Sequence, residues 1–113
     1  MNNFPFFQHY VVKIIFKDKV NINESLVDEI ADILINNFKL KVVNQSKHEF
    51  TNDGLTKCWI LSQSHLIIHS WPENNALHID MMTCSSFVVT SKILKNYLTD
   101  FSIEEIVATK LEY

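Results

Sequence analysis

The segment Ser62-Gln63-Ser64-His65-Leu66-Ile67-Ile68-His69-Ser70-Trp71-Pro72-Glu73 gathers a hydroxyl nucleophile, two imidazoles, an indole and a carboxylate, and a thiol, Cys84, follows on the next predicted strand. These side chains admit three chemistries. Cys84 with His69 as its base is a nucleophile pair of the kind hydrolases use. His65 and His69 with His78 and Cys84 have the ligand types of a zinc site. The third is a serine that is itself converted into the catalyst.

Spacing bears on the first two. A four-residue separation shares one face of a helix, but Leu66-Ile67-Ile68 reads as strand, where His65 and His69 lie about 13 Å apart at roughly 3.3 Å per residue. That is too far to share one ion, so no metal is expected. For the hydrolase, nothing local supplies an obvious oxyanion hole or nucleophile elbow. Taken singly, each residue also has an ordinary explanation. Ser64 ends a strand, His69 is a hydrogen-bonded interior imidazole, Trp71 and Phe50 are core or interface aromatics, Glu73 is a solvated turn residue, and Cys84 is a small buried hydrophobe. Met81 and Met82 read as core filler, and His65 and His78 receive no role. Only the joint pattern argues for chemistry.

The elements that must position these residues follow from periodicity. Gln8 to Phe16 is β-branched and aromatic and reads as a strand. Asn21 or Asn23 offers a cap to an amphipathic helix over 24–37, where Leu26, Ile30, Ile33, Leu34 and Phe38 recur at helical spacing. Strand returns over 41–50. Asn52-Asp53-Gly54 is a tight turn, with Gly54 expected to take positive φ. Strands over 56–62, 65–71 and 76–83 follow, the last two broken apart by Pro72 and Asn74-Asn75. Ser85 or Ser86 is the expected cap of a second helix near 88–98, and 103–111 is a final strand. This order predicts a single α/β domain over 1–113: a two-layer sandwich, mainly antiparallel, with helices on one face. The other face needs a cover, and a second subunit is the economical one.

Composition bounds the rest. At 113 residues, 47% hydrophobic and 20% charged, the chain is one globular domain with a thin core margin. A net charge of −3 gives no basic excess for nucleic acid or anionic membrane. No apolar run approaches the ~18–20 residues of a membrane span. Cys58 and Cys84 form no CxxC pair, and Met1-Asn2-Asn3 shows no charged-then-apolar leader. A cytoplasmic protein with free thiols is expected.

At the central segment the residues carry a resemblance. Ser64-His65-Leu66, Ile68-His69-Ser70-Trp71-Pro72-Glu73, Ile79-Asp80 and Thr83-Cys84 resemble the short S-adenosylmethionine decarboxylase proenzymes of bacteria and archaea, which read Ser-His-x-x-Ile-His-Thr-Trp-Pro-Glu and then Asp-x-Phe-Thr-Cys-Gly. His48-x-Phe50, Gly54-x-Thr56 and His9 extend the likeness outward. The resemblance implies a self-cleaving enzyme. Ser64 attacks the carbonyl of Gln63, the peptide becomes an ester, and β-elimination splits the chain between 63 and 64. A β chain, 1–63, and an α chain, 64–113, result, the latter opening with a pyruvoyl group made from Ser64. That group forms a Schiff base with the substrate amine and draws off the electrons left by carbon dioxide, as pyridoxal phosphate does elsewhere.

The resemblance also implies the roles. His69 assists processing, with Thr56 supplying a helping hydroxyl and Gln63 carrying the bond to be cut. Cys84 returns a proton to the substrate; a free thiol ordinarily titrates near about 8.5 and so holds a proton at neutral pH. Phe50 stacks on the adenine, Glu73 accepts from the ribose hydroxyls, Trp71 shapes the pocket, and Phe7 or Phe6 adds an aromatic. The sulfonium cation of S-adenosylmethionine gains roughly 0.5–2 kcal/mol over such a face. The implied assembly is a homodimer of processed αβ protomers, and the implied product is the aminopropyl donor for spermidine.

The chain departs from the family pattern at four places: Gln63 for glutamate, Thr56 for serine, Ser85 for glycine and Ser70 for threonine. These leave open a pyruvoyl-dependent decarboxylase of ornithine or arginine, or an unprocessed, non-catalytic homologue.

Overall fold

The computed structural model describes residues 3–113; Met1 and Asn2, on which part of the leader reading rests, lie outside the described residues. Six strands, β1 (Gln8–Phe16), β2 (Val42–Glu49), β3 (Leu55–Leu61), β4 (Ser64–Trp71), β5 (Ala76–Thr83) and β6 (Ile103–Leu111), form one sheet in the order β2-β3-β4-β5-β1-β6. Every neighbouring pair is antiparallel. Helices α1 (Glu24–Asn37) and α2 (Ser91–Tyr97) complete the α/β fold. No helix among the described residues is long and apolar enough to cross a membrane.

Strict alternation divides the sheet. Tyr10, Val12, Ile14 and Phe16 of β1, Leu66 and Ile68 of β4, and Leu77, Ile79 and Met81 of β5 are buried on the helix side. There they meet Val27, Ile30, Ala31 and Leu34 of α1 and Leu94 of α2 in one core. Their strand neighbours alternate to the opposite face, which no helix covers: His9, Val11 and Lys13; Thr56, Cys58 and Ile60; His65, Ile67 and His69; His78, Asp80 and Met82. Strand β2 is an edge strand and exposed throughout.

Helix α1 begins where its sequence predicts, with Asn23 Oδ1 accepting from the Leu26 amide at 3.0 Å. The second helix is shorter than its periodicity suggests. Its cap is Thr90, whose Oγ1 accepts from the Ile93 amide at 3.1 Å, not Ser85 or Ser86. The serines are held out of the helix because buried Gln8 pulls the preceding loop down: its Nε2 donates to the carbonyls of Ser85 (2.6 Å) and Phe87 (2.9 Å).

The β2–β3 turn also departs from expectation. Positive φ falls on Asp53 (67°), not on Gly54. Aspartate tolerates this region through local hydrogen bonding. The glycine answers a crowding problem instead: a Cβ there would meet Asn52 Oδ1 at 3.0 Å and the Ser70 carbonyl at 3.5 Å.

Two polar fastenings were not anticipated. Lys57, on the helix side of β3, is nearly buried and reaches Asp28 Oδ1 (2.7 Å) and Glu24 Oε2 (2.9 Å) on α1. Burial pulls its ammonium pKa down, but the two carboxylates outweigh that and hold it above the usual value. Asn75, left-handed at φ 54°, donates to the carbonyls of Phe16 and Asp18 and accepts from the Val20 amide. It ties the β4–β5 connection to the loop leaving β1.

Candidate active site

The site residues fall into two groups at opposite ends of β4. The first surrounds the β3–β4 turn. Leu61 pairs with Ser64, so Ser62 and Gln63 make a two-residue turn, with Gln63 in the left-handed region at φ 63°. A non-glycine residue held there costs of order 1–3 kcal/mol, and Gln63 is the residue that precedes Ser64. Ser64 Oγ donates to the Ser62 carbonyl at 3.2 Å.

Register brings the thiol to the same place. His65 of β4 pairs with Met82 of β5; continuing that antiparallel register sets Gln63 opposite Cys84. Cys84 is exposed, and its Sγ donates to the Gln63 carbonyl oxygen at 3.4 Å. Beside this contact lies an apolar cavity of about 330 Å³, lined by Phe4, Phe6, Phe7, Met82, Cys84 and Tyr113 among others. Phe7 therefore lies with Gln63, the residue before Ser64, and Cys84. Met82, read as core filler, lines the cavity from the open face, while Met81 is core.

The second group gathers at the far end of β4. Thr56 and His69 pair across β3 and β4, and Thr56 Oγ1 lies 2.8 Å from His69 Nδ1. Burial lowers the His69 pKa, and the neighbouring His78 lowers it further, against partial opposition from Asp80. The imidazole is neutral near pH 7 and suited to act as a base. A cavity of about 520 Å³ joins Phe50, Thr56, His69 and Trp71. Phe50 and Trp71 are each about half exposed, at 50% and 49%, far more than core aromatics. Glu73 is exposed in the short turn of 3-10 helix that follows β4, beside but not lining that cavity.

Ser64 and His69 thus share a strand but not a site. Five residue steps along the strand separate them by about 16 Å. One protomer brings together Ser64, Gln63, Cys84 and Phe7, and separately Thr56, His69, Phe50 and Trp71. A larger cavity of about 770 Å³, behind Phe50 and bounded by the loop into α1, contains none of Ser64, His69 or Cys84.

A third cluster was given no role in the sequence, although His9, His65 and Asp80 all fall within the family likeness. Asp80 Oδ1 accepts from His9 Nε2 at 2.8 Å and from His65 Nε2 at 2.9 Å, on the open face beside the first group. Burial alone would raise the Asp80 pKa, but the two imidazole hydrogen bonds outweigh it and hold the carboxyl below its usual range. Beside that likeness, parity is the structural signal for the trio, since 9, 65 and 80 all point to the uncovered face.

Comparison with known proteins agrees with this architecture. The family model for S-adenosylmethionine decarboxylase matches residues 9–112. An S-adenosylmethionine decarboxylase proenzyme of Archaeoglobus fulgidus is 27% identical over 88 residues, covering 78% of this chain and 79% of that one. A proenzyme of the same description from Clostridium botulinum (strain Langeland) is 33% identical over 72 residues, 64% of this chain and 62% of its own length. The crystal structure of the adenosylmethionine decarboxylase from Aquifex aeolicus superimposes with a TM-score of 0.70 at 21% identity, over 96% of this chain and 90% of that one. At that identity the likeness shows the fold.

Proposed function

This chain belongs to the S-adenosylmethionine decarboxylase family, and we propose that it is a self-processing, pyruvoyl-dependent decarboxylase of S-adenosylmethionine that supplies an aminopropyl donor for polyamine synthesis. The observation that carries this reading is the 3.4 Å contact from the Cys84 thiol to the carbonyl of a strained residue preceding a serine.

Processing begins at that carbonyl. The Cys84 thiol polarises the Gln63 C=O and stabilises the charge that collects on its oxygen as Ser64 Oγ adds to the carbon. An ester forms and the peptide C–N bond breaks. Removal of the Ser64 α-proton then expels Gln63 as a free carboxylate and leaves a dehydroalanyl terminus. This scission of the chain frees Gln63 from its left-handed conformation, which favours processing overall. Addition of water and loss of ammonia complete the pyruvoyl group. The residues present fit that conversion, since the turn is exposed and the residue before the cut tolerates replacement of glutamate by glutamine: the attacked group is the backbone carbonyl.

When formed, the pyruvoyl group supplies the electron sink that decarboxylation needs. The chain's own residues do the rest. Cys84 lies beside residue 64 and delivers a proton to the substrate α-carbon. Phe7 and the apolar cavity receive part of the substrate and exclude water.

The base and the nucleoside-binding residues come from the partner. Within one chain His69 stands about 16 Å from Ser64, so a two-fold pairing of the open sheet faces, ends reversed, is the arrangement that completes the site. Such an interface is isologous and yields two equal sites. Each joins Ser64, Cys84 and Phe7 of one protomer to the Thr56–His69 pair, Phe50, Trp71 and Glu73 of the other. Half-exposed Phe50 and Trp71 support this, because they wait for a ligand or a second surface.

Denaturing mass spectrometry of the purified protein, combined with carbon dioxide release from S-adenosylmethionine, ornithine and arginine side by side, tests the proposal. Two chains broken at 63/64 and activity on S-adenosylmethionine are expected. A single intact chain, stable over days, overturns self-processing; turnover of a free basic amino acid alone overturns the substrate.

A further inference from the structure

We propose that Asp80, by holding His9 and His65 at once, is a positioning residue that keeps the amino-terminal end of β4 in place after the Gln63–Ser64 bond is broken. The inference rests on the self-cleavage reading above. Before cleavage, residue 64 is fixed by the covalent turn through Ser62 and Gln63. Cleavage removes that turn, and residue 64 becomes a chain end whose last ladder partner on β3 is Leu61. A strand end freed in this way frays unless something tethers it.

The first residue able to supply a side-chain tether is His65, whose own amide nitrogen carries residue 64. Its Nε2 donates to Asp80 Oδ1 at 2.9 Å on β5, and the same oxygen accepts from His9 Nε2 at 2.8 Å on β1. The other nitrogen of His9, Nδ1, lies 2.9 Å from the Tyr113 hydroxyl. Three adjacent strands are thus pinned on the open face by one carboxylate, one residue away from the reacting centre. An ionised carboxylate accepting two such bonds is about twice as strong an anchor per bond as a neutral acceptor. The trio touches none of the reacting atoms; it acts through the backbone of His65.

The test separates the intact turn from the cut one. His65→Leu should still cleave, within about threefold of the parental rate, because the covalent turn holds the bond during processing. In the processed variant, hydrogen exchange of the amides at residues 65–67 should accelerate at least tenfold. In the uncleavable Ser64→Ala background the same His65→Leu change should alter exchange less than threefold. Turnover by the processed variant should fall at least tenfold in kcat with KM changed less than threefold, and His65→Gln, which restores a donor to Asp80, should recover most of it. Asp80→Ala should reproduce the exchange effect; if it does not fold, His65→Leu, a partly exposed site, carries the test alone.

Equal exchange in cleaved and uncleaved backgrounds, or a glutamine variant no better than leucine, overturns the proposal. So does parental activity that is abolished by a chelator and restored by a divalent ion, which would assign the trio to metal binding. A parental protein that never cleaves overturns the self-processing reading instead, and is seen before any variant is made.

Discussion

The Cys84 thiol donates to the Gln63 carbonyl oxygen at 3.4 Å, across the turn that bears the bond to Ser64. The relationship is fixed by sheet register, since β4 and β5 pair so that the residue before one strand faces the residue after the other. On the proposed mechanism one thiol would have two tasks separated in time: stabilising the carbonyl oxygen before the cut, and delivering a proton beside residue 64 after it.

Those tasks should respond differently to Cys84→Ala. Loss of one weak donor hydrogen bond of roughly 1–1.5 kcal/mol should slow cleavage by about tenfold. Loss of the proton donor should cost the mature enzyme 10²–10⁴-fold in kcat. Gel-resolved cleavage kinetics and single-turnover decarboxylation measure the two separately. An undiminished rate in either measurement would remove the thiol from that step.

The Thr56–His69 hydrogen bond should matter through geometry. Thr56→Val keeps the branched shape but removes the oxygen that fixes the imidazole at 2.8 Å. Cleavage should slow by about tenfold, for about 1.4 kcal/mol, and folding should be little affected because Thr56 lies on the open face. A time course of chain cleavage reads this directly.

The pH dependence of cleavage should carry the lowered pKa of His69. Burial, aided by His78, places its folded value below 6.5. The imidazole therefore remains a base down to pH values under 6.5, and the acid limb of the cleavage rate should fall below that point. The same shift means that, below 6.5, the unfolded chain binds more protons than the folded one, so stability drops as the medium is acidified. Asp80 adds to this at lower pH. Its burial is outweighed by His65 and His9, its folded pKa lies under 3.8, and the stability it contributes above that value is lost as pH falls through the folded value. A cleavage midpoint at or above 6.5 would exclude His69 as the base.

Much of this layout was legible in the sequence because strand parity is strict. Along 76–83 the buried Leu77, Ile79 and Met81 alternate with His78, Asp80 and Met82, and the odd numbers of His65 and His69 put both on the same open face, although the sequence reading assigned no faces and took Met82 as core filler. What parity cannot tell is which end of the sheet a residue occupies relative to its neighbours on other strands. The twelve-residue segment read as one site, yet it runs the length of β4 and its residues fall into two groups at opposite ends of that strand. Long-range side-chain partners were equally hidden. Gln8, 77 residues from Ser85, decides where the second helix starts, and Lys57 on the core face of β3 is tolerated only because α1 presents two acids to it. Neither relation has a local signature.

Asn75 should be among the costlier surface residues to replace. Its side chain makes three hydrogen bonds to the end of β1 and the loop after it, and its backbone is left-handed at φ 54°. At about 1 kcal/mol per bond, plus about 1 kcal/mol for a β-carbon forced into that region, Asn75→Ala should destabilise by ~2–4 kcal/mol. Urea denaturation in the uncleavable Ser64→Ala background gives a two-state measure. Asn75→Gly should recover only the backbone part.

The composite site makes the sharpest prediction. Consider two defective chains. His69→Ala retains Ser64 and Cys84 but has no base to offer; Ser64→Ala retains Thr56 and His69 but has no nucleophile. Alone, each should remain uncleaved. Co-expressed in equal amounts, random two-fold pairing puts about half of the His69→Ala chains opposite a Ser64→Ala partner, and those chains alone receive an intact imidazole at their Gln63–Ser64 bond. Mass spectrometry should then show about half of the His69→Ala chains cut and every Ser64→Ala chain whole. If His69 instead reached Ser64 within its own chain, no mixture of the two would cleave. The ~16 Å that separates them along β4 is too long for hydrogen bonding and too rigid to fold back without unpairing the strand from both neighbours. Cleavage in the mixture therefore measures the partner's contribution, independently of which substrate the mature enzyme decarboxylates.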